Sequence, residues 1–156
     1  MIDQFRFFIR DNHLIRKSDK ILVTVSGGID SVVMLDLFVR SGYNCGIAHC
    51  NFGLRGDESD GDEDFVRQLA FQYNLKIFCN RFNTEEYAQE ENISIQMAAR
   101  KLRYDWFETI RQSHPYNLIA TAHNQDDVLE TFFINLARGS GIRGLTGIKV
   151  ISGTII

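Results

Sequence analysis

Short β-branched apolar runs alternate along the chain with segments whose apolar positions recur every three or four residues, the pattern of strands joined by amphipathic helices. Gln4 to Asn12, with Phe5, Phe8 and Ile9 at helical spacing, reads as a short edge helix. Ile21 to Val25 is the first strand; Val32, Leu35 and Val39 then mark a helix that stops near Ser41-Gly42, and Cys45 to His49 is the second strand. Ser59 to Tyr73 reads as a helix with Phe65, Leu69 and Tyr73 as its apolar stripe, followed by a strand at Leu75 to Cys79 and a polar stretch through Asn92. Ser94 to Arg111 is a long helix burying Ile95, Ala98, Ala99, Leu102, Trp106 and Ile110, and Asn117 to Ala122 is the fourth strand. A further helix follows, and Ile148 to Ile156 is a final strand-like run. Strand-helix-strand units imply parallel pairs and right-handed crossovers. The expected fold is therefore α/β, a parallel five-stranded sheet with helices on both faces and ligands at the C-terminal ends of the strands.

A length of 156 residues suits one domain, and 44% hydrophobic with 24% charged residues is ordinary globular composition. A net charge of -3 excludes a self-sufficient nucleic-acid binder, so any grip on RNA is local or supplied elsewhere. No apolar run has the length of a membrane span and Met1-Ile2-Asp3-Gln4 lacks a signal-peptide layout, so the expectation is a cytoplasmic protein with no membrane partner. Cys45, Cys50 and Cys79 are odd in number and form no CxxC pair, which fits reduced thiols. The apolar terminus Thr154-Ile155-Ile156 suggests a single domain, residues 1–156, cut from a longer chain.

The densest chemistry lies between the first strand and its helix, at Ser26-Gly27-Gly28-Ile29-Asp30-Ser31. A strand, two glycines and a helix start present backbone N–H groups at the positive end of a helix, a site for phosphate, with the Ser26 and Ser31 hydroxyls as further donors. Asp30 would repel that ligand unless a divalent cation bridges the two. The spacing is not Walker A, since neither its second glycine nor its lysine is present. A plain tight turn, or Ser26 or Asp30 as a helix cap, is the alternative.

Three further groups are candidates. The first is the loop after the second strand, with His49, Asn51 and Arg55, set against simple turn chemistry. In the second, Arg100, Arg103 and Tyr104 share a helix face, where paired guanidiniums can clamp phosphate or merely be solvated. Third, Asp126, Asp127 and Glu130 concentrate negative charge at a helix start, which suits magnesium, an ammonium-bearing substrate or capping. Beyond them the glycine-rich segment Arg138-Gly139-Ser140-Gly141-Ile142-Arg143 offers Arg138 and Arg143 to phosphates or RNA. The acidic run Asp57 to Asp64 complements a helix dipole; its glycine spacing is wrong for a calcium loop.

Taken in order, Ser26 to Ser31, His49 to Asp60, Gln96 to Tyr104, His123 to Thr131 and Arg138 to Leu145 resemble the N-terminal, ATP-binding part of the tRNA(Ile)-lysidine synthetases, a branch of the PP-loop ATP pyrophosphatases. Phe52 and Asn124 stand where that family often has histidine. The resemblance implies strand order 3-2-1-4-5, ATP and Mg²⁺ as cofactors, and tRNA(Ile) and L-lysine as partners, with C-terminal tRNA-holding domains missing here. It implies a ligase that joins lysine to the wobble cytidine at anticodon position 34 of a CAU-bearing tRNA(Ile). The reaction would pass through an adenylated cytidine and release pyrophosphate and AMP, changing the codon read from AUG to AUA and the amino acid from methionine to isoleucine. Residues Ser26, Gly27, Gly28, Ile29, Asp30 and Ser31 would hold pyrophosphate, with Asp30 and Asp127 on the metal. Arg100, Arg103 and Asp127 would join Asp30 in catalysis, and His49, Arg55, Asp126, Glu130, Arg138 and Arg143 would bind substrate. Other readings are a tRNA thiolase, an amidotransferase-type synthetase, or a silent nucleotide-binding module; a homodimer is compatible with any of them.

Overall fold

A computed structural model describes residues 1–122 and 153–156. In chain order the described elements are α1 (Ile2–Asp11), β1 (Lys20–Thr24), α2 (Ile29–Arg40), β2 (Asn44–Asn51), α3 (Asp57–Gln72), β3 (Ile77–Arg81), α4 (Thr84–Glu90), α5 (Ile95–Ser113) and β4 (Leu118–Ala120). The strands form a parallel sheet ordered β3-β2-β1-β4, with Ile21 of β1 opposite Cys45 on one side and Leu118 on the other. Four strands are ordered among the described residues where five were expected. On the outer edge of β4, a single parallel bridge joins Ile119 to Ile155.

Strand alternation divides the core into two layers. Ile21, Val23 and Val25 point to one face, where Leu35 and Phe38 of α2, Val66, Leu69 and Ala70 of α3, and Phe5 of α1 cover them. Leu22, Ala48 and Ile119 point to the other face, against Phe107 and Ile110 of α5. Because both faces are covered, β1 reads as an unbroken apolar run, as central parallel strands do.

The helices depart from the sequence pattern in informative places. Leu69 is buried and Tyr73 packs on the core as expected, but Val66 takes the inward position and Phe65 is exposed. In α5 the buried set is Ala98, Ala99, Phe107 and Ile110, while Ile95 is exposed. Ser94 caps α5 by accepting the Met97 amide at 3.2 Å. The stretch read as merely polar contains α4, which is too short to stand alone and packs against α5. It is tied down by Thr84, whose buried hydroxyl donates to the Phe52 carbonyl at 3.0 Å.

Gly46 in β2 has a packing reason. A Cβ there would lie 2.1 Å from the Tyr116 hydroxyl and 2.8 Å from the ring carbon bearing it. Gly46→Ala must displace that ring and is expected to cost about 2 kcal/mol, read as a lower midpoint in urea with an unchanged slope.

Candidate functional site

The loop between β1 and α2 is braced from within. Gly27 has φ +99°, a conformation that side-chain-bearing residues rarely adopt. Gly28 is the N-cap of α2, so neither Ser26 nor Asp30 caps that helix, and the cap offers no side-chain acceptor to the first turn. Ser31 is buried; its hydroxyl accepts the Ser26 amide at 3.1 Å and donates to the Gly28 carbonyl at 2.7 Å. The Gly28 amide donates to the Ser26 hydroxyl at 3.3 Å. The Ser31 hydroxyl and the Ser26 and Gly28 amides therefore donate inside the loop, and the first-turn amides at the positive end of α2 are the donors suited to an anion.

Beside this loop, on the α5 face of the sheet, lies a cavity of about 260 Å³. Ser26 and Ser31 line it from the loop, Cys50 and Phe52 from the end of β2, and Arg103 and Tyr104 from α5. The Arg103 guanidinium stacks 5.2 Å over the Phe52 ring, an arrangement that holds its charge at the cavity wall. Arg100 is exposed and stacks 5.0 Å over Tyr104 instead, so the two arginines do not form one clamp. Burial pushes the Cys50 thiol up to about 12, with the Arg103 charge opposing and Cys79 adding to it. Cys45 rises to about 11 by burial and Cys79 is raised for the same reason, so all three stay protonated at neutral pH and none is a ready nucleophile.

Two residues expected to touch substrate, His49 and Arg55, do not line this cavity. His49 is 2% exposed on the α3 face of the sheet, where its Nδ1 donates to the Val25 carbonyl at 2.8 Å. Strand alternation turns it away from the cavity that its neighbours Ala48 and Cys50 line. Arg55 is bound to Glu58 and, at 2.6 Å, to Asp62, both on the first turns of α3. These are surface ion pairs, and the Arg55 side chain remains more than half exposed. Asp62 in turn sits against the loop, since a Cβ on Gly27 would lie 2.9 Å from its Oδ1.

Asn51, a candidate weighed against turn chemistry, is buried and both shapes the turn and latches it to α3. Its amide donates to Asp60 at 2.9 Å and Glu63 at 3.1 Å, and its carbonyl accepts the Gly53 amide at 3.0 Å. The Asn51 bond, with Arg81 assisting, holds Asp60 below the usual carboxylate range. Burial opposes ionisation of Glu63, but hydrogen bonds from Arg67 and Asn51 outweigh it and lower its pKa as well. Both folded values lie below the unfolded ones, so this stabilisation is complete above the ordinary carboxylate pKa and is lost as pH falls through the depressed values. Asn51→Leu is expected to cost about 3 kcal/mol at pH 7 and distinctly less at pH 3, compared by urea unfolding at the two pH values.

Ile29 and Asp30 are exposed on the first turn of α2. Asp126, Asp127, Glu130, Arg138 and Arg143 lie outside the described residues, although Thr121 and Ala122, just before them, line the cavity. Among the described residues no group of three or more His, Cys, Asp or Glu side chains could hold a metal. None of the described helices is long and apolar enough to cross a membrane. Sequence reasoning had not singled out Cys50 or Phe52 as cavity walls. Their position two and four residues beyond Ala48 on the same side of the strand was the available signal.

A glycine turn that hands a central parallel strand to a helix, beside a cavity at the strand ends, defines a phosphate-loop α/β protein. A PP-loop domain model matches residues 2–155, and the chain belongs to that family of ATP-binding domains. It is 51% identical over 149 residues to the tRNA(Ile)-lysidine synthase of Bacteroides thetaiotaomicron, covering 96% of this chain and 35% of that protein. The tRNA(Ile)-lysidine synthase of Parabacteroides distasonis is 45% identical over 156 residues, covering all of this chain and 36% of the relative. For that of Chlorobaculum tepidum the figures are 44% over 156 residues, 96% of this chain and 47% of the relative. The chain thus spans between about a third and a half of the length of these curated relatives. An NH3-dependent NAD synthetase from Campylobacter jejuni shares the fold at a TM-score of 0.61 and 17% identity, covering 90% of this chain and 59% of that one.

Proposed function

We propose that this chain is the ATP-binding part of a ligase that joins L-lysine to the wobble cytidine of tRNA(Ile), acting in the cytoplasm. The observation that supports this most strongly is that tRNA(Ile)-lysidine synthases align across nearly the whole chain, phosphate loop included, at up to 51% identity. The three raised thiols give no support to the sulfur-transferring alternative.

In this reading the cytosine O2 attacks the α-phosphorus of ATP, pyrophosphate departs, and the lysine side-chain amine then displaces AMP at C2. The loop from Ser26 to Ser31 grips the departing pyrophosphate, as suits cleavage between the α and β phosphates, with its amides as donors. Arg103, held on Phe52 at the cavity wall, stabilises phosphate or orients the activated base, and Arg100 acts from one stack further out. Asp126, Asp127 and Glu130 serve the lysine ammonium and, with Asp30, the metal; Arg138 and Arg143 close over phosphates or RNA.

Mg²⁺ fits this donor set, because it takes one or two protein carboxylates together with substrate phosphates and waters, and Asp30 is an exposed carboxylate on the loop's own helix. When bound it would neutralise phosphate charge. If the reading is right, AMP release from ATP by the full-length protein requires tRNA(Ile) as acceptor. AMP release at the same rate without tRNA would contradict it.

A further inference from the structure

The polar groups on the α3 face of the sheet take no part in the cavity, yet one of them reaches the root of the phosphate loop. The paired register of β1 with β2 ends at Thr24 opposite Ala48. One residue further, the Val25 amide still donates to the Ala48 carbonyl at 2.9 Å, and the Val25 carbonyl accepts His49 Nδ1 at 2.8 Å. That carbonyl belongs to the same peptide unit as the Ser26 amide, which donates to the Ser31 hydroxyl at 3.1 Å. The first peptide plane of the loop is therefore pinned on both edges, by His49 from below and by Ser31 from within. A peptide unit so held cannot rotate, and its plane sets the direction in which Ser26, Gly27 and Gly28 leave the strand.

His49 is itself held in an unusual way. A carbonyl only accepts, so Nδ1 carries a proton and is the donor of this bond. Nε2 is buried and has no hydrogen-bond partner among the described residues. A histidine kept only for packing would be better replaced by an apolar residue, because an unsatisfied buried polar atom costs stability. What this position gains from histidine is the one donor aimed at Val25.

We infer that His49 is a positioning residue for the phosphate loop, fixing through its Nδ1–H the peptide plane between Val25 and Ser26 so that the loop amides converge on pyrophosphate. The inference rests on the proposed function, and it assigns His49 no contact with substrate.

The test is binding of inorganic pyrophosphate with magnesium, by titration calorimetry, to the full-length protein and to His49→Leu and His49→Asn. Leucine removes the donor. It also removes the unpaired Nε2 while leaving the Val25 carbonyl without this bond, so the thermal midpoint is expected to stay within a few degrees of the wild type. Pyrophosphate affinity is expected to fall about tenfold in His49→Leu, the scale of one lost neutral hydrogen bond, with the KM for tRNA unchanged. Asparagine places an amide N–H where Nδ1 lies, and His49→Asn is expected to recover most of the affinity. Wild-type affinity in His49→Leu would overturn the inference. So would a loss shared equally by tRNA and not recovered by asparagine, since that is what a merely structural role produces. Failure of the unsubstituted protein to bind pyrophosphate would instead overturn the proposed function and this inference with it.

Discussion

Gly27→Ala is expected to raise the KM for ATP by about a hundredfold or more while the protein stays folded. The residue sits at φ +99°, where any side chain is strained by about 1–3 kcal/mol, and its Cβ would lie 2.9 Å from Asp62 Oδ1 and 3.0 Å from Cγ. Asp62, held by Arg55 only through a partly exposed ion pair at 2.6 Å, can give way, but the positive φ strains any side chain whatever the space. The loop backbone must therefore move, and with it the amides that would converge on the phosphates. The expected stability loss is modest, a thermal midpoint lower by about 5 °C, because the loop is peripheral to both core layers. Circular dichroism separates the two effects, and near-normal ATP affinity in a folded Gly27→Ala protein would remove the loop from nucleotide binding.

Asp30→Ala is expected to suppress tRNA-dependent AMP release by at least about a hundredfold, the scale on which a preorganised electrostatic group at the reacting charge acts. Its structural effect is small. Asp30 is an exposed acid in the first turn of α2, where an exposed favourable contact with the helix dipole contributes about 0.5 kcal/mol. Unfolding midpoints of Asp30→Ala and the parent should agree within a few degrees. Unchanged AMP release with tRNA present would contradict any part for Asp30 in phosphate or metal handling.

What could be read from the sequence was local. The turn Ser26-Gly27-Gly28 is legible because glycine after a β-branched run admits the positive φ that a tight turn out of a strand needs, and the structure supplies that φ at Gly27. The four parallel strands are legible because β1 and its neighbours are covered on both faces and so are apolar at successive positions. Properties set by distant residues were not legible. His49 and Cys50 are adjacent in sequence, but α3 buries the first while the second opens onto the cavity. Arg100 and Arg103 look like a pair until Phe52 and Tyr104 draw them to different rings. Helix α4 buries only Thr84 and Ala88, one polar and one small, too weak a signal to show a period without α5 to pack on.

In the proposed function the phosphate loop and the Arg103 cavity serve the nucleotide, and lysine and tRNA enter through the relatives. The most direct measurement is transfer of isotopically labelled lysine by the full-length protein, with ATP and magnesium, to a CAU-bearing tRNA(Ile) and to the same tRNA with uridine at the wobble position. The proposed function predicts ATP-dependent, acid-stable label on the first tRNA and none on the second. Absence of label on both, or equal label on both, would contradict it.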